Sequence, residues 1–169
     1  MNQYFTLFDL PVGFTLDEDT LESRYRTLAA RFHPDRFAAA SAFEQKQAVM
    51  MSATVNEAYR TLKNPIDRAA YLLKEQGIDA DAPEHTSFAP EFLMQQMEWR
   101  ESLMEAQMEN DAAALKALEN EIAAEAKKLF AELRQAFADK RHDEAAQLVR
   151  QGRFFDKLLR EIRQTRQAV

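Results

Sequence analysis

The sequence of 169 residues contains no cysteine, so the chain has no disulfide, no thiol nucleophile and no thiolate metal ligand. Histidine is also scarce, and none of the 3 histidines has a His, Cys or carboxylate partner at the spacing of metal ligands. No nucleophile lies beside a base, and no Gly-rich loop suggests a phosphate site. We therefore expect no metal, no cofactor, no catalytic residue and no enzymatic activity.

Glycine and proline are few, at 3 and 5 residues, whereas 46% of the residues are hydrophobic. This composition favours a folded, helix-rich protein over a disordered one. No apolar run approaches the roughly 20 residues that a membrane helix needs. The first ten residues lack the basic segment and the cleavage site of a signal peptide. We expect a soluble protein of the bacterial cytoplasm, with no membrane partner.

Positive charge is nearly missing from one stretch of the chain. Residues 78–125 carry a net charge of −10, and residues 126–169 carry +5. Our preferred interpretation is that the two stretches form antiparallel helices whose opposite charges attract. Nucleic-acid binding by the basic stretch is the weaker alternative, because the acidic neighbour would cancel its field. We expect no nucleic-acid partner.

The first third of the chain predicts a short apolar start followed by a helix. Thr15 and Glu18 have the spacing of a capping box at its beginning. The helix must end near His33, because the residue before a proline is pushed out of the α region. The expected core face of this helix comprises Leu21, Tyr25, Leu28 and Phe32.

A second helix is predicted from about residue 41 to residue 63. Asn64 and Pro65 then have the character of an N-cap and a first helical residue. The third helix that they begin should stop at Gly77. The apolar positions expected on the second helix are Phe43, Met50, Met51, Val55, Ala58, Tyr59 and Leu62.

The rest of the chain predicts a linker and a helical bundle. Turn-forming residues are concentrated in residues 77–90, the expected linker between a first domain at 1–76 and a second at 91–169. Alanine, leucine and charged residues dominate the second domain, and its apolar residues recur at helical spacing. We predict an all-α protein: an N-terminal helical hairpin and a C-terminal antiparallel three-helix bundle.

A tripeptide, His33-Pro34-Asp35 (the HPD tripeptide), lies at the tip of the predicted hairpin. Pro34 stiffens the loop, so that His33 and Asp35 present a donor and a carboxylate at a set separation. Three arginines surround it with positive charge: Arg24, Arg31 and Arg36. Such a surface suits an acidic partner. A simple helix cap is the less favoured alternative, since a Gly or Asn turn would form one with less constraint.

The tripeptide and its surroundings closely resemble the J-domain family over roughly residues 3–75. The matching residues are Tyr4-Phe5, Leu7, Tyr25-Arg26, Leu28-Ala29, Phe32 to Asp35, Asn56, Ala58-Tyr59, Leu62, Pro65, Arg68-Ala69 and Tyr71. The resemblance implies a co-chaperone that stimulates the ATPase of a DnaK-type chaperone by contacting an acidic patch on it. The implied chaperone-binding residues are Arg24, Arg31, His33, Pro34, Asp35 and Arg36. Arg36 replaces the usual lysine, which keeps the charge and changes its geometry.

The helix that begins near Glu91 carries two apolar strips. The first would dock into the bundle and contains Phe92, Trp99, Leu103 and Ala106. The second, here called the Met-rich strip, contains Leu93, Met94, Met97, Met104 and Met108 and is bordered by Glu98, Glu101 and Glu105. An adaptable Met-rich strip suits a protein-binding surface. Packing on the third bundle helix or the J-domain is an equally supported alternative, and a homodimer could also bury the strip.

The whole chain resembles the HscB family, the J-proteins of iron–sulfur cluster assembly. Matches beyond the J-domain are Leu72-Leu73, His85-Thr86, Phe92-Leu93-Met94, Met97-Glu98, Arg100-Glu101, Arg153-Phe154 and Asp156-Lys157-Leu158. The resemblance implies two partners, the DnaK-type chaperone HscA and the scaffold IscU, and a role in delivering IscU to HscA. The implied scaffold-binding residues are Leu93, Met94, Met97, Glu98, Glu101, Glu105 and Phe154.

Two other functions are compatible with the same residues. A general J-protein would use its bundle for unfolded clients and would bind many denatured polypeptides without preferring the scaffold. A helical adaptor or oligomerisation module would carry a J-like hairpin that stimulates no ATPase.

Overall fold

The computed structural model describes residues 2–82 and 87–168, and within these ranges every regular element is helical. The helices are α1 (Gln3–Leu7), α2 (Glu18–Arg31), α3 (Ala42–Lys63), α4 (Pro65–Glu75), α5 (Pro90–Glu109), α6 (Ala112–Ala138) and α7 (His142–Ala168), with a short 3₁₀ helix at Pro34–Phe37. The predicted all-α fold class is confirmed. The chain divides into a first unit, Met1–Ile78, and a second unit, Asp79–Val169.

The start of α2 differs from the prediction, because Asp17 caps this helix and Thr15 does not. The Asp17 carboxylate accepts hydrogen bonds from the backbone N–H groups of Asp19 at 3.1 Å and Thr20 at 3.3 Å. It also accepts one from the Thr20 hydroxyl at 2.9 Å. A carboxylate satisfies several donors and complements the positive end of the helix dipole, so it caps more effectively than a threonine hydroxyl.

The core of the first unit is built from one face of each helix. Leu21 is buried as predicted, whereas Tyr25 is only half-buried. The Tyr25 ring stacks on Tyr59 with 3.9 Å between ring centroids, and its hydroxyl donates to Asn56 Oδ1 at 2.9 Å. The fully buried large side chains of the unit are Phe5, Phe8, Leu21, Leu62, Ile66 and Leu73.

The apolar positions predicted for α3 fall on two faces, and only one face is buried. Val55 and Leu62 are completely buried. Phe43 is 71% exposed and Met50 is 57% exposed. At about 100° per residue, Met50 lies roughly 140° from Val55 around the helix axis, so the two side chains point to nearly opposite sides. Phe43 and Met50 therefore lie on the exposed side of α3, away from the buried face that carries Val55.

The junction between α3 and α4 confirms the prediction for Asn64 and Pro65. Asn64 Oδ1 accepts from the backbone N–H groups of Ile66 at 2.8 Å and Asp67 at 3.2 Å, and Pro65 occupies the first helical turn. The helix ends at Glu75, just before Gly77, which adopts a left-handed φ of 80°. A glycine takes this conformation without the steric cost of a Cβ atom.

The second unit contains the predicted three-helix bundle. Asn110 ends α5 in a left-handed conformation, and the Asp111 carboxylate then caps α6 by accepting from Ala114 N–H at 3.0 Å. Each helix buries one face; the large side chains at its centre include Trp99, Leu103, Leu115, Ile122, Leu133, Leu158 and Ile162. In the described part of the chain, no helix is long and apolar enough to cross a membrane.

Opposite charges join the helices of the bundle, as the charge distribution predicts. Glu119 on α6 receives a hydrogen bond from Arg166 on α7, and Arg163 lies 3.9 Å from the same carboxylate. Arg100 on α5 pairs with Glu161 on α7 at 2.6 Å. The contacts of Glu119 join the acidic stretch to the basic one as the interpretation expects, whereas Arg100 and Glu161 each carry the charge opposite to that of their stretch.

Candidate functional site

The HPD tripeptide forms the beginning of the 3₁₀ helix that follows α2. His33 has an extended backbone with φ −62° and ψ 135°, and Pro34 is the first helical residue. His33 Nδ1 accepts a hydrogen bond from the backbone N–H of Asp35 at 3.2 Å. The tripeptide thus caps its own turn and not α2, whose last residue is Arg31.

The hydrogen bond from Asp35 N–H to His33 Nδ1 determines which hydrogen-bonding groups of the tripeptide face solvent. Because His33 Nδ1 is an acceptor, the neutral ring carries its hydrogen on Nε2 and can donate it to a partner. The Asp35 carboxylate lies 3.6 Å from His33 Nδ1, and the side chains of His33 and Asp35 are 58% and 93% exposed. One donor and one acceptor are therefore held together on an exposed, stiffened turn.

The arginines around the tripeptide differ in their surroundings. Arg31 ends α2 and lies over the Phe32 ring, 5.6 Å from its centroid. Arg36 lies in the 3₁₀ helix and is exposed. Arg24 and Arg31 are seven residues apart, so they share a face of α2 at a separation of about 10 Å along its axis. The predicted chaperone-binding residues are thus arranged along one face of α2 and the turn that follows it.

Arg24 also has a structural contact inside the first unit. Its Nη1 donates to the backbone carbonyl of Phe8 at 2.8 Å and to that of Asp9. Asp9 adopts a left-handed φ of 52° just after α1. Arg24 therefore stabilises this turn, in addition to the proposed role of its charge in chaperone binding.

The Met-rich strip is exposed on α5. Leu93 is 45% exposed, and the exposed fractions of Met94, Met97, Met104 and Met108 range from 56% to 82%. The first apolar strip is confirmed as the docking face, since Trp99, Leu103 and Ala106 are buried. The proposed packing of the Met-rich strip on the third bundle helix is therefore wrong.

Three carboxylates border the Met-rich strip on the same side of α5. Glu98, Glu101 and Glu105 are all exposed. At about 100° per residue, the strip and these carboxylates together occupy roughly 140° of the helix circumference. The surface is mainly apolar along one side and acidic along the other, which suits a partner with exposed apolar side chains and positive charge.

Phe154 on α7 completes the predicted scaffold-binding set, but it also belongs to an aromatic cluster. Its ring packs edge-on against Phe88, with 5.1 Å between centroids, and against Phe92 at 5.7 Å. Phe155 continues the cluster inward to Trp99 at 5.4 Å. Phe154 is 38% exposed. Its substitution would therefore affect packing in the second unit as well as any partner contact.

Several residues beside these surfaces carried no signal in the sequence. Phe88 packs on Phe154, and Asp81 accepts two hydrogen bonds from the guanidinium of Arg153, both at 2.9 Å. The partners in the Asp81–Arg153 pair are 72 residues apart in the chain.

The matched pair His85-Thr86 lies outside the described residues. Across 2–82 and 87–168, no group of three His, Cys, Asp or Glu side chains is arranged to hold a metal ion.

Comparison with known families matches both parts of the chain. Residues 3–71 match the DnaJ domain family. Residues 88–163 match the family described as the HSCB C-terminal oligomerisation domain. The two matches together span most of the sequence.

Individual relatives give the same result. A co-chaperone protein HscB homolog of Neisseria meningitidis serogroup C is 70% identical over 162 residues, covering 96% of this chain and 98% of that protein. The solved chaperone HscB from Vibrio cholerae is 40% identical with a TM-score of 0.83, covering 99% of each chain. The crystal structure of human co-chaperone protein HscB is 31% identical with a TM-score of 0.88, covering 98% of this chain and 83% of that one.

Proposed function

Because this chain belongs to the HscB family of J-domain co-chaperones, which act in iron–sulfur cluster assembly, we propose that it activates the DnaK-type chaperone HscA and delivers the scaffold IscU to it. A J-domain co-chaperone works with an Hsp70-type partner and is not itself an enzyme. The ATPase site therefore belongs to the partner. The bacterial relatives support the cytoplasm of a bacterium as the compartment.

The observation that carries the scaffold assignment is the exposed Met-rich strip. Soluble proteins rarely leave a contiguous apolar surface open to water unless something binds it. Methionine side chains adapt to irregular partner surfaces. We propose that Leu93, Met94 and Met97 form the apolar centre of the scaffold contact, with Glu98, Glu101 and Glu105 at its edge and Phe154 beside it.

The exposure of the HPD turn supports the proposed binding of the chaperone. A carboxylate and an imidazole donor on a stiffened turn can form charge-assisted hydrogen bonds with little loss of conformational entropy. We propose that Arg24, Arg31 and Arg36 add long-range attraction to the acidic surface of the chaperone. Their contribution should depend on salt concentration, because exposed charges are screened over about 10 Å at 0.1 M.

Carrying both surfaces on one chain supports a delivery function. A scaffold bound by the second unit is held near a chaperone bound by the first, which raises their effective concentration for each other. Stimulated ATP hydrolysis in the chaperone would then be coupled to capture of the scaffold. The expected outcome is transfer of the cluster to acceptor proteins.

Calorimetric titration of the purified scaffold tests the proposal. The wild type should bind saturably, and a Met94→Ala, Glu101→Ala variant should lose most of the affinity. Met50→Ala is a matched control, because Met50 is 57% exposed in the first unit and Met94 is 62% exposed in the second. Phe154 is left intact, so that the aromatic cluster is preserved.

Two results would contradict the assignment. If the wild type binds denatured polypeptides as tightly as the scaffold, the protein is a general J-protein. If the strip is buried in a homodimer, the mass of the protein in light scattering will rise with concentration and the wild type will not bind the scaffold.

A further inference from the structure

A pocket of about 480 Å³ lies beside the Met-rich strip in the second unit. Its apolar wall includes Phe88, Leu93 and Phe154. Leu93 and Phe154 are also proposed to contact the scaffold, so the pocket is continuous with that surface. Charged side chains of Asp81, Arg150 and Arg153 complete its lining.

The two arginines in this pocket differ in their hydrogen bonding. The Arg153 guanidinium is held by the Asp81 carboxylate through two hydrogen bonds of 2.9 Å. The Arg150 Nε is enclosed by the protein and has no hydrogen-bond partner in the described part of the chain. A buried N–H without an acceptor costs free energy that a suitable ligand can recover.

An apolar pocket lined by an arginine whose Nε–H has no acceptor favours a particular ligand chemistry. The aromatic and aliphatic wall takes a large apolar group by removing it from water. The guanidinium prefers a carboxylate, because a planar acid can accept two parallel N–H bonds. We infer that this pocket binds an anchor of the partner protein in which an acidic side chain lies next to a large apolar one; this rests on the proposed scaffold-binding function.

The charges around the pocket support this anchor and its position. Glu98, Glu101 and Glu105 would repel a carboxylate placed along α5. Arg150 lies on α7, so it offers an acidic group a site apart from that acidic edge. A partner with positive charge facing α5 and a carboxylate at Arg150 would be held in one orientation, because the reversed arrangement places like charges together.

A small probe tests the pocket without the scaffold. 3-Phenylpropionate has an apolar ring and a carboxylate, and 3-phenylpropionamide is its uncharged analogue. In a ¹H–¹⁵N NMR titration of the full chain, the acid should shift the amide signals of Phe88, Leu93 and Phe154 saturably. The amide should bind at least about tenfold more weakly, because it lacks the charge-assisted bond. Equal binding of the acid and the amide would overturn the inference.

Variants at Arg150 test whether the site that binds the probe also binds the scaffold. Arg150→Gln should lose the preference for the acid and weaken scaffold binding about tenfold or more, whereas Arg150→Lys should retain part of both. Arg160→Gln is the matched control, since Arg160 is an exposed arginine on the same helix. Unchanged NMR spectra away from the pocket would exclude a general folding defect.

The outcomes separate this inference from the proposed function. If the wild type fails to bind the scaffold, the proposed function is wrong, and the phenylpropionate titration alone decides whether the pocket takes a carboxylate. If the wild type binds the scaffold and Arg150→Gln binds it equally well, the anchor inference is wrong and the proposed function stands.

Discussion

The two ring nitrogens of His33 have separate tasks. Nδ1 accepts the Asp35 N–H and so fixes the ring relative to the turn, while Nε2 keeps the hydrogen that a partner can receive. The cap and the proposed partner contact therefore depend on the same side chain. A short polar residue could form the cap but would not supply the proposed contact.

A substitution of His33 can test its role in ATPase stimulation in a protein that remains folded. His33→Gln should abolish stimulation of the chaperone ATPase, because a flexible amide does not reproduce the rigid donor position of the imidazole. The 3₁₀ turn is exposed, so its lost hydrogen bond should cost no more than about 1 kcal/mol of stability. Steady-state ATP hydrolysis and a thermal melt measure the two effects, with His142→Gln as control. Normal stimulation by His33→Gln would contradict the J-domain assignment of this residue.

Arg24 should behave differently from Arg36, although both are proposed to bind the chaperone. Arg24→Ala removes hydrogen bonds to the carbonyls of Phe8 and Asp9 and should lower the unfolding free energy of the first unit by about 1–2 kcal/mol. Arg36→Ala should leave stability within about 0.5 kcal/mol of wild type. All 4 tyrosines lie in the first unit and the 1 tryptophan lies in the second, so tyrosine and tryptophan fluorescence report the two units separately. Equal stability of the two variants would contradict the structural role of Arg24.

At the scale of helices, periodicity and capping residues predicted most of the fold. Asn64-Pro65 identified the start of α4 because an N-cap followed by proline is specific to that position. The start of α2 was misplaced because both Thr15 and Asp17 can cap, and spacing alone does not show which oxygen reaches the free N–H groups. The exposure of Met50 was not predictable, because apolar character on α3 does not show which face meets another helix.

The contact between α6 and α7 predicts a pH dependence. The hydrogen bond from Arg166 lowers the pKa of Glu119 below its ordinary value of 4.5, partly opposed by desolvation. A carboxyl whose pKa is lower in the folded state stabilises the protein above its unfolded-state pKa, and this contribution is lost as pH falls through the folded-state pKa. Glu119→Gln should therefore lower the Tm at pH 7.

The difference in Tm between Glu119→Gln and the wild type should shrink as the pH is lowered from about 5 to 3. Circular-dichroism melts at several pH values measure it. Glu132→Gln is a suitable control, because Glu132 is an exposed glutamate on the same helix. A difference that stays constant down to pH 3 would show that the ionised Glu119 does not contribute through its charge.

At the scale of the molecule, two separate exposed surfaces on one chain support the proposed delivery function. The sequence predicted both surfaces, because the HPD tripeptide and the Met-rich strip are each local in the chain. The pocket was not predictable in this way. Arg150 lies more than 60 residues from both Phe88 and Asp81 in the sequence, and no periodic pattern brings it to them.

A chain with one surface disabled should inhibit the intact protein. His33→Gln retains the scaffold-binding strip, so an excess of this variant should occupy the scaffold without activating the chaperone. Stimulated ATPase activity with wild type and scaffold should fall as the variant is added and recover with more scaffold. A variant that also carries Met94→Ala and Glu101→Ala should not inhibit. Equal inhibition by both variants would indicate that they compete with the wild type for something other than the scaffold.

The exposed methionines of the strip have a further consequence, for redox chemistry. Peroxide transfers one oxygen atom to a thioether and leaves as water, which turns an apolar side chain into a polar sulfoxide. Met97 and Met108 are 71% and 82% exposed and open to this reaction. Peroxide treatment should therefore weaken scaffold binding, and methionine sulfoxide reductase should restore it; unchanged affinity after oxidation confirmed by mass spectrometry would contradict this. The surface proposed to meet the scaffold of iron–sulfur clusters is thus itself open to oxidation.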